Sequence, residues 1–177
     1  MYKKKYGKMT VSAWLNMEMN QTHPMLMLLL GGGMLAGGVL VRLCVGSPHM
    51  MLLALNVAGI VPPVWLMTLL WSLSFFIIGA AAGFVLGYRT YGCEVDKYKG
   101  GMLFVLLAVL ELCWYPTLFA AGLVFLSVLE SILILSISVG TTLCFYRVSR
   151  FAGMLLLLHD VWLCYMLILN FAILFHA

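Results

Sequence analysis

Five long apolar runs, separated by short polar breaks or breaks that contain glycine and proline, dominate the pattern of this chain. A helix needs about 20 mostly apolar residues to cross the hydrocarbon core of a bilayer, and each run is long enough. The predicted spans, numbered 1 to 5, cover residues 25–44, 63–88, 101–120, 123–145 and 152–175. None of them alternates with the period of two that is typical of a barrel strand. The pattern therefore predicts an all-α membrane protein, a bundle of five transmembrane helices.

Composition supports the same conclusion, because 64% of the 177 residues are apolar and only 9% are charged. Water-soluble surfaces do not tolerate that balance. The first apolar run begins only near Met25, so the polar residues before it do not resemble a cleaved signal and we expect them to be retained. The predicted organisation is a basic N-terminal segment, residues 1–23, followed by a five-helix transmembrane domain, residues 24–177.

The basic residues are distributed unevenly between the two sides of the predicted membrane. Nine of the ten lie on one side: Lys3, Lys4, Lys5, Lys8, Arg89, Lys97, Lys99, Arg147 and Arg150. Only Arg42, at the end of span 1, lies on the other side. Because basic loops stay in the cytoplasm, this asymmetry predicts a cytoplasmic N-terminus and an external C-terminus.

Motifs of the common enzyme and metal-site classes are absent from the sequence. The five cysteines occur singly, without CxxC or Cys/His spacing, and the four histidines are equally isolated. There is no P-loop, dinucleotide fingerprint or Ser-His-Asp order. The N-terminal lysines also lack the aromatic interleaving typical of nucleic-acid binding. We therefore predict no catalytic residues, no metal site and no nucleic-acid partner.

Small residues recur at a spacing of four in spans 1 and 2. Span 2 carries Gly79, Gly83 and Gly87, and span 1 carries Gly33 and Gly37. This spacing places small residues on one helix face and allows neighbouring helices to approach closely. We interpret the glycines as packing inside the bundle, with a dimer seam as the alternative.

Three acids at membrane depth mark candidate functional positions: Glu111 in span 3, Glu130 in span 4 and Asp160 in span 5. An acid at the bilayer centre costs at least about 2.5 kcal/mol, so each should face the bundle interior or a wet cavity. Glu111 and Trp114 are three residues apart and share a helix face. A hydrogen bond between helices is the preferred interpretation for Glu130. For Glu111, that interpretation and ligand contact both remain open.

Aromatic residues follow the Pro62-Pro63 pair at the start of span 2. Proline is tolerated in the first turn of a helix, so the pair marks where the helix begins. Trp71 and Phe75 share a face because they are four residues apart. Tryptophan also anchors helices at membrane interfaces, which suits Trp65 better than the deeper Trp71.

The joint spacing of these residues resembles the TspO/MBR family. The family's second-helix pattern, PPxWxxxxxWxxxYxxxG, is matched by Pro62, Pro63, Trp65, Trp71, Phe75 and Gly79. Its third-helix pattern, LNxxWxPxFF, is matched by Leu110, Trp114, Pro116 and Phe119, with Glu111 at the asparagine position. Spans 4 and 5 follow the family order through Glu130, Thr141, Thr142, Tyr146, Trp162 and Asn170. The resemblance covers about residues 55–175, with span 1 similar only in its glycines.

This resemblance implies a five-helix bundle, usually a homodimer, with a cavity for porphyrins, haem, sterols or synthetic benzodiazepine-type ligands. It implies no required cofactor, since porphyrin or haem would be a ligand. The ligand-binding residues that it implies are Trp65, Trp71, Phe75, Glu111, Trp114, Trp162 and Asn170.

Several positions depart from the family pattern. Ile60 stands where the family has tryptophan, Glu111 where it has asparagine, and Leu157-Leu158-His159 where it has Tyr-Pro-Tyr. No Lys or Arg follows Tyr165 to complete the sterol motif of the animal proteins. These departures argue against sterol binding and favour a protein of the bacterial plasma membrane.

Three functions are compatible with this sequence. Our preferred hypothesis is a binding protein with a sensory or regulatory role, because Trp71, Phe75 and Trp114 suit a flat tetrapyrrole by stacking. A transporter of such ligands is the alternative, although five single spans without a detectable repeat differ from the inverted repeats of most transporters. The third is an enzyme that degrades porphyrin in light, which the loss of a tryptophan at Ile60 should weaken.

Overall fold

The computed structural model describes residues 10–46, 62–89 and 92–176. This part of the chain forms six helices and no strands: α1 (Val11–Met19), α2 (Pro24–Val45), α3 (Val64–Gly87), α4 (Glu94–Phe119), α5 (Val124–Val148) and α6 (Arg150–His176). Helices α2 to α6 are long and apolar enough to cross a membrane. The predicted five-helix bundle is therefore confirmed, and the chain is a multi-pass membrane protein. The four N-terminal lysines and Ile60 lie outside the described residues.

The five spanning helices form a closed ring rather than a row. Along the ring, α2 packs on α3, α3 on α6, α6 on α5, α5 on α4, and α4 returns to α2. Ile78, Leu107 and Leu156 point inward and are fully buried. Many large apolar side chains face outward, where lipid rather than water is their solvent. Side chains of four helices, α3 to α6, line the centre of the ring. These helices carry the candidate functional site.

Helix α4 differs most from its predicted span, since it begins at Glu94 rather than at residue 101. Glu94 and Asp96 lie in its first turn, where negative charge interacts favourably with the helix dipole. Lys97 Nζ donates a hydrogen bond of 3.0 Å to the carbonyl of Tyr88 at the end of α3. Hydropathy reports only the apolar part of a helix, so it does not detect this polar turn.

Helix α1 was not predicted, because it is short and lies in the polar segment before span 1. Thr10 caps its N-terminus. Glu18 is buried and accepts a hydrogen bond of 2.7 Å from Ser149 Oγ, between α5 and α6. Trp14 packs edge-on against Phe151, with 6.4 Å between ring centroids. The N-terminal segment thus contains a helix that docks where α5 and α6 join.

The glycines of α3 pack inside the bundle, as the preferred interpretation predicted. A Cβ atom on Gly79 would lie 2.8 Å from Cα of Gly31, and one on Gly83 would lie 2.6 Å from Cα of Met27. Both neighbours are backbone atoms of α2, which cannot move aside as a flexible side chain can. At Gly33, in contrast, an added Cβ would meet nothing within 4 Å. Close contact between α2 and α3 therefore depends on the glycines of α3.

Candidate functional site

A cavity of about 30 Å³ lies between α3, α4, α5 and α6, and we call it the inner cavity. Its aromatic wall consists of Trp71 and Phe75 from α3, Trp114 from α4 and Trp162 from α6. Trp71 and Phe75 pack edge to face, with ring centroids 5.3 Å apart. The structure thus brings together four aromatic residues that the family resemblance implied. Their contact with a ligand stays a prediction.

The polar side of the inner cavity is a chain of three buried side chains from three helices. Ser74 Oγ on α3 lies 2.6 Å from His159 Nδ1 on α6. His159 Nε2 lies 2.7 Å from Glu111 Oε1 on α4, although this approach is off the line of a well-formed hydrogen bond. Two lone pairs at that distance would repel each other, so a proton on either partner stabilises this contact. The chain ties α3, α6 and α4 together around the cavity.

Sequence reasoning missed Ser74 and the role of His159. Ser74 precedes Phe75 inside an apolar span, and its partner lies 85 residues further along the chain. One signal was available, because Glu111 and His159 are both departures from the family pattern. The structure places these two departures in direct contact.

Three buried polar atoms on α4 have no well-formed hydrogen bond in the described part of the chain: Glu111 Oε1, which lies against His159 Nε2, and Glu111 Oε2 and Trp114 Nε1, which have no such neighbour. Glu111 is 6% exposed and Trp114 5% exposed, so neither side chain is open to solvent or lipid. Unpaired buried polar atoms are rare and costly in native structures. Both residues line the inner cavity, which therefore offers one acceptor and one donor to whatever occupies it.

The two remaining predicted site residues lie elsewhere. Asn170 is fully buried, and its side chain bonds to Ser127, Ser131 and the carbonyl of Met166. These bonds hold α6 to α5, and Asn170 is not part of the cavity wall. Trp65 is 68% exposed near the start of α3, away from the inner cavity.

The other two acids of the spans are also outside the inner cavity. Asp160 accepts hydrogen bonds from Ser138 Oγ at 2.5 Å and from Thr142 Oγ1 at 2.8 Å, both on α5. The carboxyl group of Asp160 therefore joins α5 to α6. This is the structural role that a hydrogen bond between helices gives to an acid inside the membrane. Glu130 is half-buried on α5 and does not line the cavity.

A larger groove of about 340 Å³ lies between α2 and α3, and we call it the outer groove. Its lining includes Leu35, Gly38, Arg42, Thr68, Trp71 and Phe75. Trp71 and Phe75 line both spaces, so these two side chains form the wall between the outer groove and the inner cavity. A molecule that passes from the groove to the cavity through this wall would displace Trp71 or Phe75.

Trp71 is held in place by an aromatic stack. Its ring lies on that of Tyr115, with centroids 4.6 Å apart and an angle of 24° between the planes. Tyr115 in turn donates a hydrogen bond of 2.9 Å from its hydroxyl to the carbonyl of Gly46, which ends α2. The position of Trp71 is thus linked to the end of α2. Arg42, one turn before that end, places a positive charge in the outer groove.

Comparison with known proteins agrees with the five-helix fold. The model of the TspO/MBR family matches residues 25–176, which includes all five spanning helices. The tryptophan-rich protein TspO of Chlorobaculum tepidum is 33% identical over 113 residues, which are 64% of this chain and 70% of that protein. No solved structure matches the chain. The matched region contains the spaced tryptophans, the glycines of α3 and the helix ring, and the chain therefore belongs to the TspO/MBR family.

Proposed function

We propose that this membrane protein binds a flat hydrophobic ligand of the tetrapyrrole class, such as a porphyrin or haem, and acts as its sensor or regulator. The observation that carries the proposal is the wall that Trp71 and Phe75 form between the outer groove and the inner cavity. Large aromatic side chains bind flat conjugated rings through stacking and dispersion. A ligand that inserts here would contact Trp71 on one side and reach Trp114 on the other.

The sizes of the two spaces support a ligand that occupies mainly the outer groove. Sites for drug-sized ligands measure about 300–1,000 Å³, and the groove of about 340 Å³ falls in that range. The inner cavity, at about 30 Å³, is far below that range. A ring that enters it from the outer groove would displace Trp71 or Phe75. In this proposal, displacement of Trp71 is the event that ligand binding reports to the rest of the bundle, through Tyr115 and the end of α2.

Titration with protoporphyrin IX in detergent tests the proposal. We expect the tryptophan fluorescence of the protein to be quenched saturably at micromolar concentration, because Trp71, Trp114 and Trp162 surround the site. Trp14→Phe is the matched control: Trp14 contacts Phe151, about 12 Å along α6 from His159, and its removal should leave the binding constant unchanged. Quenching that rises without saturation would indicate partition of the porphyrin into detergent and would contradict the proposal.

We also propose a bacterial plasma membrane as the location, with the N-terminus in the cytoplasm. Five basic residues lie at the end of the bundle that carries α1: Arg89, Lys97, Lys99, Arg147 and Arg150. Contacts support this placement, since the backbone of Arg89 donates to Gln21 and Arg147 pairs with Asp96 at 3.3 Å. Arg42 lies at the opposite end of the bundle.

A reporter fused after Ala177 tests this orientation. Five spans with a cytoplasmic N-terminus put the C-terminus outside, so a periplasmic phosphatase fused there should be active and a fluorescent protein that folds only in the cytoplasm should be dark. The reverse result would refute the orientation.

A further inference from the structure

The inner cavity presents one hydrogen-bond acceptor and one donor that nothing in the described part of the chain satisfies. Glu111 Oε2 is the acceptor and Trp114 Nε1 is the donor. They lie three residues apart on α4, hence on one helix face, and both side chains are more than nine-tenths buried. Such a pair suits a ligand whose own donor faces Glu111 Oε2 and whose own acceptor faces Trp114 Nε1.

Glu111 Oε2 is the carboxyl oxygen that does not face His159. His159 Nε2 faces Glu111 Oε1 at 2.7 Å, where either partner can hold the proton, and Ser74 Oγ faces the other ring nitrogen. If the proton is on the imidazole, Oε2 belongs to a carboxylate. If it is on Oε1, then Oε2 is the carbonyl oxygen of a carboxylic acid. Oε2 accepts a hydrogen bond in both of these states.

A ligand carboxylate is poorly matched to this position. It would bring two acceptor oxygens to the acceptor Oε2, and Trp114 Nε1 alone would remain to donate. Arg42 lies in the outer groove, where an acidic group of the same ligand would be favoured. The outer groove thus favours the acidic end of a ligand, and the inner cavity favours an end without a carboxylate.

We propose that the inner cavity recognises a lactam edge, an N–H next to a C=O on a planar ring, with the N–H donated to Glu111 Oε2 and the C=O accepting from Trp114 Nε1. This inference rests on the proposed function and narrows its ligand class. Open-chain tetrapyrroles carry such lactams on their terminal rings, whereas the N–H groups of a closed porphyrin point to the centre of the macrocycle. The site therefore favours open-chain tetrapyrroles over closed ones, and the volume of about 30 Å³ suits the inserted edge alone.

A matched pair of probes tests the inference on the unmodified protein. Phenanthridin-6(5H)-one is a flat three-ring lactam, and its N-methyl derivative has the same ring without the N–H. We expect the lactam to bind at least about tenfold more tightly, because the methylated probe leaves a buried acceptor unpaired. Equal affinities of the two probes would overturn the inference. Glu111 Oε2 and Trp114 Nε1 would then be the partners of a bound water molecule.

Variants separate hydrogen bonding from the bulk of the methyl group. Glu111→Met removes the acceptor, so the two probes should bind this variant with equal affinity. If the variant still prefers the lactam to its N-methyl derivative, the preference is steric and the inference is overturned. Trp114→Phe keeps a ring but removes the donor, so it should weaken the lactam. Trp162→Phe, in the same wall, should weaken both probes in proportion and keep their ratio. Thermal unfolding in detergent identifies variants that do not fold.

Protoporphyrin IX, titrated in parallel, separates this inference from the proposed function. If it saturates with dependence on Trp71 while the lactam preference is missing, the lactam inference fails and tetrapyrrole binding stands. If neither ligand saturates, the proposed function fails as well.

Discussion

Gly83→Leu is expected to separate α2 from α3 and to remove most of the folded protein. Even a Cβ atom at this position would lie 2.6 Å from Cα of Met27 and 2.7 Å from the carbonyl carbon of Leu26. Backbone atoms of a packed helix cannot yield as a side chain can, so α2 itself would have to move outward. Overpacking of a core costs about 1–3 kcal/mol, and we expect about 3 kcal/mol or more here because a whole helix interface is affected.

Thermal unfolding in detergent, together with the yield of monodisperse protein, measures this effect. Gly33→Leu is the matched control, since an added Cβ at Gly33 meets nothing within 4 Å and its position is exposed to lipid. It should fold with an unfolding temperature close to that of the parent. If Gly83→Leu is as stable as Gly33→Leu, the close packing of α2 on α3 is wrong, and the outer groove between these helices is wrong with it.

Trp71→Ala is expected to show the largest loss of affinity for a tetrapyrrole. Trp71 belongs to both the outer groove and the inner cavity, so a ligand in either position contacts it. Stacking contributes about 0.5–1.5 kcal/mol beyond the burial of apolar area. With the lost contact area included, we expect a loss of about 2 kcal/mol, or roughly 30-fold in the dissociation constant.

Fluorescence titration of the variants with protoporphyrin IX checks this value. Trp71→Phe should lose less affinity than Trp71→Ala, because a smaller ring still stacks on Tyr115.

Trp65→Ala provides a second comparison on the same helix. The family resemblance implies that Trp65 contacts the ligand, whereas its 68% exposure away from the cavity predicts little loss. An equal loss for Trp65→Ala and Trp71→Ala would place the ligand outside the aromatic wall described above.

Much of the fold was predictable because lipid imposes a strong rule on sequence. A spanning helix must satisfy its own backbone in about 20 apolar residues, and such runs are visible without any tertiary information. The helix ends were less predictable, since α4 begins in a polar turn at Glu94 that hydropathy cannot detect. Helix α1 is held by tertiary contacts such as that between Glu18 and Ser149, which are 131 residues apart.

The site was predictable only in part. The spacing of Trp71, Phe75 and Trp114 along their helices indicated a common aromatic wall through the family pattern. The pairing of His159 with Glu111 and Ser74 depends on how α6 is rotated against α3 and α4, which no spacing within one helix reports. Asn170 was predicted from the family pattern alone, and its hydrogen bonds to Ser127 and Ser131 across α5 and α6 depend on tertiary packing that the sequence does not report.

Native mass spectrometry of the protein released from detergent tests the central claim, one tetrapyrrole in the aromatic site of each chain, most directly. With protoporphyrin IX added, we predict a single adduct per chain whose population saturates, and its loss in the Trp71→Ala, Trp114→Ala double variant that still folds. A series of adducts that grows with porphyrin concentration and is the same in the double variant would contradict the claim.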